Sequence, residues 1–236
     1  MQAVILAAGL GTRMGKLTKN TPKPMLKILG KNLLELKINN LPKEVDEVIL
    51  VIGYKGDVIK KYFKESFNGK KITYVEDSTL TGTANALWQT KKILKDKFLV
   101  MMGDDIYSKS SIAECAKNPL SICCRISEIN DRGDRVLLKN KNLDGFTTQA
   151  KNLDLKKPSP LAFTGMFCLT KEIFKYKPVK LKTKNEWGLP QTLLKLANKK
   201  KIKIIKTNNW MQISSPEDLK LAEKFLKEWP SKDILV

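Results

Sequence analysis

The sequence predicts a three-layer α/β/α fold with a mainly parallel central sheet. Three observations predict it. Continuous apolar runs of strand length recur along the first half. Glycines or polar turns stop them, and segments with helical spacing lie between them. Strands alternating with helices at this spacing are the pattern of a parallel sheet covered on both faces.

Residues 3–8 (AVILAA) read as a buried strand, because no polar residue alternates with the apolar ones. Gly9-Leu10-Gly11-Thr12-Arg13 breaks it. Residues 31–41 place Leu33, Leu34, Ile38 and Leu41 at helical spacing. Residues 47–52 (EVILVI) form a second buried strand, stopped at Gly53. Residues 57–67 read as a helix with Val58, Ile59, Tyr62 and Phe63 inward. Residues 71–75 are a third strand, and residues 83–94 a helix that Thr83 can cap. Residues 97–102 are a fourth strand, ending at Gly103-Asp104-Asp105.

The second half is less regular. Residues 120–126 (LSICCRI) read as a strand, and residues 127–161 are polar and lysine-rich, with weak strands at 135–138 and 147–153. A strand at 162–169, a helix at 187–198 and a short strand at 202–206 follow. Residues 215–229 form the last helix. Pro216 suits its first turn, Glu217 and Asp218 suit its dipole, and Leu219, Leu221, Ala222, Phe225 and Leu226 line one face. No repeat or low-complexity linker divides the chain, so one domain over residues 1–236 is expected.

Composition narrows the chemistry. The 236 residues include 44 Lys+Arg, 24 Asp+Glu and no histidine, for a net charge of +20. Ser-His and Cys-His catalytic pairs and His-ligated zinc are thereby excluded. No apolar run approaches the ~20 residues of a membrane-spanning helix. Residues 1–9 are too short, and lack the basic start, for a signal peptide. A cytoplasmic protein without a membrane partner is expected. Cys115, Cys123, Cys124 and Cys168 form no C-x-x-C pair and are expected as buried, reduced thiols, with adjacent Cys123 and Cys124 on opposite sheet faces. The cationic excess is nearly all lysine and is spread along the chain, and its densest run, Lys199-Lys200-Lys201, falls at a helix end. Few aromatics interleave with it, so no nucleic-acid partner is expected. A basic surface still attracts nucleotides and sugar phosphates.

The most informative segment is Leu6-Ala7-Ala8-Gly9-Leu10-Gly11-Thr12-Arg13, followed by Leu17-Thr18 and Thr21-Pro22-Lys23-Pro24-Met25-Leu26. Glycines after a strand let successive amides approach phosphate oxygens. This is not the dinucleotide loop, since position 14 is Met14 rather than glycine, and no Gly-Lys-Ser/Thr makes it a Walker loop. Arg13 adds a charged fork for a polyphosphate, and two prolines stiffen the chain around Lys23. The Gly9 loop and Asp104 both follow strand ends, where ligands of open α/β sheets bind, so they are expected to meet at one site.

This pattern, L-A-A-G-L-G-T-R-M…L-T…T-P-K-P-M-L, resembles the sugar-phosphate nucleotidyltransferases (NDP-sugar pyrophosphorylases) in a short single-domain form. The resemblance continues through residues 74–87 with Gly82-Thr83-Ala84, Gly103-Asp104, Lys157-Pro158, Thr164-Gly165, Glu186 and residues 210–219. It implies a Rossmann-like nucleotidyltransferase fold, with a nucleotide-binding half at 1–110 and a sugar-phosphate-binding half at 111–236. It leaves no room for the hexapeptide-repeat acyltransferase domain that some relatives carry. The implied reaction joins an NTP to a sugar 1-phosphate with Mg²⁺, by in-line attack on the α-phosphorus, and releases pyrophosphate. Arg13, Lys23 and Asp104 are the implied catalytic residues. Leu6, Ala8, Gly9, Gly11, Thr12, Asp77, Gly82 and Thr83 would bind the nucleotide. Lys157, Thr164, Gly165 and Glu186 would bind the sugar phosphate, and Asp104 and Gln212 the metal.

Three positions depart from the family pattern. Gln212 stands where a second metal carboxylate is expected; Asp105 is an alternative ligand, although its alternate direction on an extended chain counts against it. Lys156 replaces the Glu of E-K-P and removes a sugar-hydroxyl acceptor. Asp77 replaces the Gln that uridine- and thymidine-selective members carry, and a carboxylate only accepts hydrogen bonds. UTP with glucose 1-phosphate or N-acetylglucosamine 1-phosphate is the expected pair. GTP with mannose 1-phosphate or a heptose 1-phosphate is the alternative, and a catalytically degenerate nucleotide-sugar-binding regulator is another. A choline-phosphate-type acceptor is a rival within the class. Whether the protein is a monomer or a homo-oligomer stays open.

Overall fold

The structure, a computed structural model, describes residues 1–126, 134–140, 142–147, 161–182, 184–230 and 233. Among them, ten strands form one sheet: β1 (Gln2–Ala7), β2 (Glu47–Ile52), β3 (Ser66–Phe67), β4 (Lys70–Glu76), β5 (Lys97–Met102), β6 (Ser121–Ile126), β7 (Arg135–Lys139), β8 (Asn142–Thr147), β9 (Leu161–Thr170) and β10 (Lys203–Thr207). The order is β8-β7-β9-β5-β1-β2-β4-β3, with β6 against β9 and β10 against β6. The heart of the sheet, β5-β1-β2-β4, is parallel, and β1, β2 and β5 carry the unalternating apolar runs typical of strands covered on both faces. The long strand β9 joins the second half to it, antiparallel to both β5 and β6.

Helices cover both faces. On one face α1 (Leu33–Asn40), α2 (Gly56–Phe63) and α4 (Lys109–Lys117) bury Leu34, Ile38, Ile59, Phe63, Ile112 and Cys115 against Ala3, Ile5 and Ala7 of β1. On the other, α3 (Thr83–Gln89) and α5 (Leu189–Ala197) bury Leu87, Leu189, Leu193 and Leu196 against Val4 and Val100. Cys123 belongs to the first layer and Cys124 to the second, so the pair does straddle the sheet. All four cysteines are free and buried. The terminal helix α6 (Pro216–Glu228) packs Ala222 and Leu226 over Met14, Leu26 and Ile213, beside the loop after β1. Among the described residues no helix is long and apolar enough to cross a membrane.

Several boundaries differ from the sequence expectation. α2 stops at Phe63, and residues 66–67 pair back onto β4 through Asn68 (φ 49°) and Gly69 (φ 72°). Asn-Gly with two positive φ angles is the tight hairpin turn, a local signal that outweighs the helical spacing before it. α3 ends at Gln89, and Thr83 is not its cap. Gly82 holds that position, while the Thr83 hydroxyl accepts a hydrogen bond from the Leu189 N–H at 3.0 Å. α5 starts at Leu189, because residues 187–188 pair with Val179–Lys180. α4 was not expected; the Ser108 side chain caps it. In place of a strand at 147–153, the hairpin partner of β7 is Asn142–Thr147, and residues 148–153 lie outside the described ones.

Candidate active site

The carboxyl ends of the parallel strands open into a cleft of about 450 Å³. Leu6, Ala8, Gly9, Gly11, Thr12, Arg13, Lys23, Asp77, Gly82, Thr83, Asp104, Glu186 and Gln212 all line it. Thr164 and Gly165 line a second compartment of about 280 Å³, which shares Thr83, Met102 and Gln212 with the first. Lys157 lies outside the described residues. A larger, more open depression of about 630 Å³ around Asp96, Thr170 and Lys200 contains none of these residues.

The loop after β1 is shaped by contacts that only glycine permits. Gly11 has φ 65°, and a Cβ there would lie 2.9 Å from the Lys23 Cβ. Its carbonyl accepts from the Thr18 hydroxyl at 3.1 Å. Met14 is buried, whereas Gly9, Thr12 and Arg13 stay exposed. The loop is thus anchored at its base and presents amides and a guanidinium to the cleft, an arrangement suited to anions.

Lys23 sits in a single turn between Pro22 and Pro24 and is buried, and its ammonium donates to Asp104 Oδ2 at 2.6 Å. The Asp104 carboxylate keeps 32 % exposure and so remains open to the cleft. Asp104 and the Gly9 loop, far apart in sequence, line the same cleft as expected.

Beneath Asp104 lies a buried polar group. The short strand Asp105–Tyr107 pairs antiparallel with Trp210–Gln212, setting Gln212 opposite Asp105. Asp105 Oδ2 accepts from Trp210 Nε1 at 3.2 Å and lies 3.2 Å from the Tyr107 hydroxyl, which also lies 2.9 Å from the Thr164 carbonyl. Among the described residues Asp105 Oδ1 has no partner. Burial, reinforced by the charge of Asp104, pushes the Asp105 carboxyl well above the usual range. Lys37, also wholly buried, is pulled down to about 8 by desolvation, and the charges of Asp105 and Asp104 oppose that shift. Burial likewise raises the Tyr107 phenol. Asp105 is therefore turned toward Trp210 and Tyr107 and does not line the main cleft, which removes it as the alternative metal ligand.

Asp77 is buried at the far end of the cleft. Its Oδ1 accepts from the Thr79 N–H, the Thr79 hydroxyl, the Leu80 N–H and Gln89 Nε2 at 3.1, 2.8, 3.2 and 2.7 Å. Its neighbour Glu76 is exposed and pairs with Lys60. Gly82 (φ 102°) lets the 186–187 segment close over this region, since a Cβ there would lie 2.6 Å from the Trp187 carbonyl and 3.0 Å from the Glu186 Cβ. Thr164 and Gly165 form a bulge in β9, where the pairing with β6 shifts between Phe163 and Phe167. Thr164 is fully buried, and its hydroxyl donates to the Cys123 carbonyl at 2.9 Å.

The donor set fits Mg²⁺. Asp104 and Gln212 offer a carboxylate and an amide oxygen to the same cleft, and Mg²⁺ typically takes one or two protein oxygens beside water and phosphate. Among the described residues no cluster of three acidic or thiol ligands competes for a metal.

Sequence reasoning missed Lys184, which also lines the cleft, Gln89 behind Asp77, and buried Lys37. Lys37 was within reach, because it falls four residues after Leu33 on the apolar stripe of α1. Lys184 carries no such signal in its lysine-rich surroundings.

A family model described as nucleotidyl transferase matches residues 2–119. The chain belongs to this family. It is 32% identical to the bifunctional protein GlmU of Methanocaldococcus jannaschii over 99% of its own length and 56% of that protein's. It thus spans about half the length of that curated relative. It is 37% identical to the D-glycero-alpha-D-manno-heptose 1-phosphate guanylyltransferase of Campylobacter jejuni, over 74% of this chain and 78% of that one. The fold is that of a UDP-glucose pyrophosphorylase solved with UDP-glucose, with TM-score 0.79, 19% identity, and coverage of 96% of this chain and 98% of that one. The nucleotidyl transferase match ends near the middle of the chain, so the glycine loop, Lys23, Asp77, Gly82 and Asp104 lie inside it, while Thr164, Glu186 and Gln212 lie beyond.

Proposed function

We propose that the protein joins an NTP to a sugar 1-phosphate, yielding an NDP-sugar and pyrophosphate. The observation that carries this reading is the Lys23–Asp104 pair, 2.6 Å apart, in one cleft with the Gly9–Gly11 loop and Arg13. An oxygen of the sugar phosphate attacks the α-phosphorus in line, and the bond from the α-phosphorus to the oxygen bridging to the β-phosphorus breaks. That oxygen is already ionised, so no general base is needed, which suits a chain without histidine. Catalysis then consists of positioning and charge neutralisation. Arg13 and the amides of residues 9–12 hold the β- and γ-phosphates. Lys23 places its positive charge beside the reacting phosphates, and Lys157 takes the phosphate of the sugar. Asp104 and Gln212 would hold Mg²⁺, which when bound would supply charge neutralisation on the phosphate oxygens.

UTP with glucose 1-phosphate or N-acetylglucosamine 1-phosphate is the primary reading of the substrate pair. Asp77 favours a second, GTP with mannose 1-phosphate or a heptose 1-phosphate. Its carboxylate accepts hydrogen bonds and cannot donate, and guanine offers two neighbouring N–H donors. Resemblance to a heptose guanylyltransferase supports the same reading. The test is pyrophosphate release with Mg²⁺ across the common NTPs, crossed with sugar 1-phosphates and choline phosphate. Release confined to one combination supports the reading and names both substrates. Nucleotide binding without release from any combination overturns it in favour of a degenerate binding protein.

A further inference from the structure

The second compartment holds a carboxylate with no assigned role. Asp134 lines it, immediately before β7, with its backbone carbonyl fixed by the Phe163 N–H at 2.8 Å. The aromatic residues Phe163, Phe167 and Trp210 complete much of the wall. An apolar, aromatic surface with a few placed polar groups is the usual make-up of a small-molecule site.

Two other polar groups of this wall are engaged by the protein, although Asp105 Oδ1 has no partner among the described residues. Asp105 is buried against Trp210 and Tyr107, and the Thr164 hydroxyl donates to Cys123. No hydrogen bond reaches the Asp134 carboxylate from the described residues. Burial raises its carboxyl above the usual range, and the charge of Lys184, on the rim of the main cleft, opposes this. The compartment shares Gln212 with the main cleft, so a ligand seated here lies beside a proposed metal ligand.

We propose that Asp134 accepts hydrogen bonds from the hydroxyls of the acceptor sugar and sets which sugar phosphates are used. The proposal rests on the nucleotidyltransferase reading above. Lys156, where the family pattern leads one to expect a carboxylate, lies outside the described residues. The ligand class is a pyranose 1-phosphate with adjacent free hydroxyls, because one carboxylate can take two neighbouring O–H donors.

The experiment measures kcat and KM for the best sugar 1-phosphate, its monodeoxy analogues and the NTP, in wild type, Asp134→Ala and Asp134→Asn. The alanine variant should raise the acceptor KM about tenfold or more, the scale of a hydrogen bond to a charged group. The NTP KM should stay within about twofold. With each of two neighbouring monodeoxy analogues the wild type should already be weakened, and Asp134→Ala should cost less than it does with the parent sugar. A merely structural role would weaken every analogue alike, and that result overturns the proposal. So does an unchanged acceptor KM. Should the alanine variant fail to fold, Asp134→Asn keeps the size and must show the same hydroxyl-specific loss, or the proposal falls. Wild type active yet indifferent to position 134 sinks this inference alone. Wild type silent with every sugar 1-phosphate sinks the enzymatic reading with it.

Discussion

The wall formed by residues 6–13 with Lys23, proposed above to hold phosphate, and the wall around β9, Lys184 and Glu186 draw their chemistry from different places. The first is built from backbone amides, a glycine with positive φ and two cations close together in sequence. The second is assembled from side chains on separate segments: Asp134 before β7, the Thr164-Gly165 bulge, Lys184 and Glu186, and Gln212 on the strand beside Asp105. A phosphate looks the same in every nucleotide, so a local loop can recognise it. A sugar is told from its isomers by the direction of single hydroxyls, and that requires side chains converging from several directions. On the proposed function, the wall for the invariant group is therefore local and the wall for the variable group tertiary.

The largest expected effect is at the point where the two walls meet. Asp104→Ala should cut turnover by ~10²-fold or more, the scale of removing one charge-stabilising group from a transition state. It should do so whatever sugar is offered, and unchanged turnover in a pyrophosphate assay would remove Asp104 from the mechanism. Gly11→Ala tests the backbone character of the first wall. The left-handed conformation costs an L residue about 1–2 kcal/mol. The new Cβ would in addition meet the Lys23 Cβ at 2.9 Å. Its NTP KM should rise well beyond its acceptor KM; equal losses would mean that the loop serves both walls.

Asp77→Gln should sharpen the comparison at the base. It breaks the hydrogen bonds that hold Oδ1 and adds a donor, so the NTP profile should move toward UTP or dTTP. An unaltered profile would separate Asp77 from base recognition. The smallest effect concerns pH. Burial lowers Lys37 from 10.5 to about 8, so between these values the unfolded chain holds a proton that the native chain has released. Stability attributable to Lys37 therefore rises with pH across that window. Below it, the buried charge is a full cost. The difference in thermal midpoint between wild type and Lys37→Met should narrow as pH is raised from 8 to 10.5. A constant difference would show that Lys37 keeps its proton throughout.

The parallel strands, the glycine loop, Arg13, Lys23 and Asp104 were legible in the sequence, because unalternating apolar runs and glycine-broken strand ends are local patterns. The C-terminal helix was legible for the same reason, through Pro216, its acidic first turn and one apolar face, although Leu221, expected on that face, is exposed. Tertiary structure decided the rest. It ended α2 early through the Asn68-Gly69 turn, spent the Thr83 hydroxyl on Leu189 and tied Asp77 to Gln89. It also buried Lys37 and Asp105 under the site and brought Asp134 to the second compartment. Periodicity reports which face of an element is apolar. Whether a charged side chain on that element is solvated, paired or aimed at a ligand depends on the desolvation and partners that distant segments supply, and these exist only once the chain has folded.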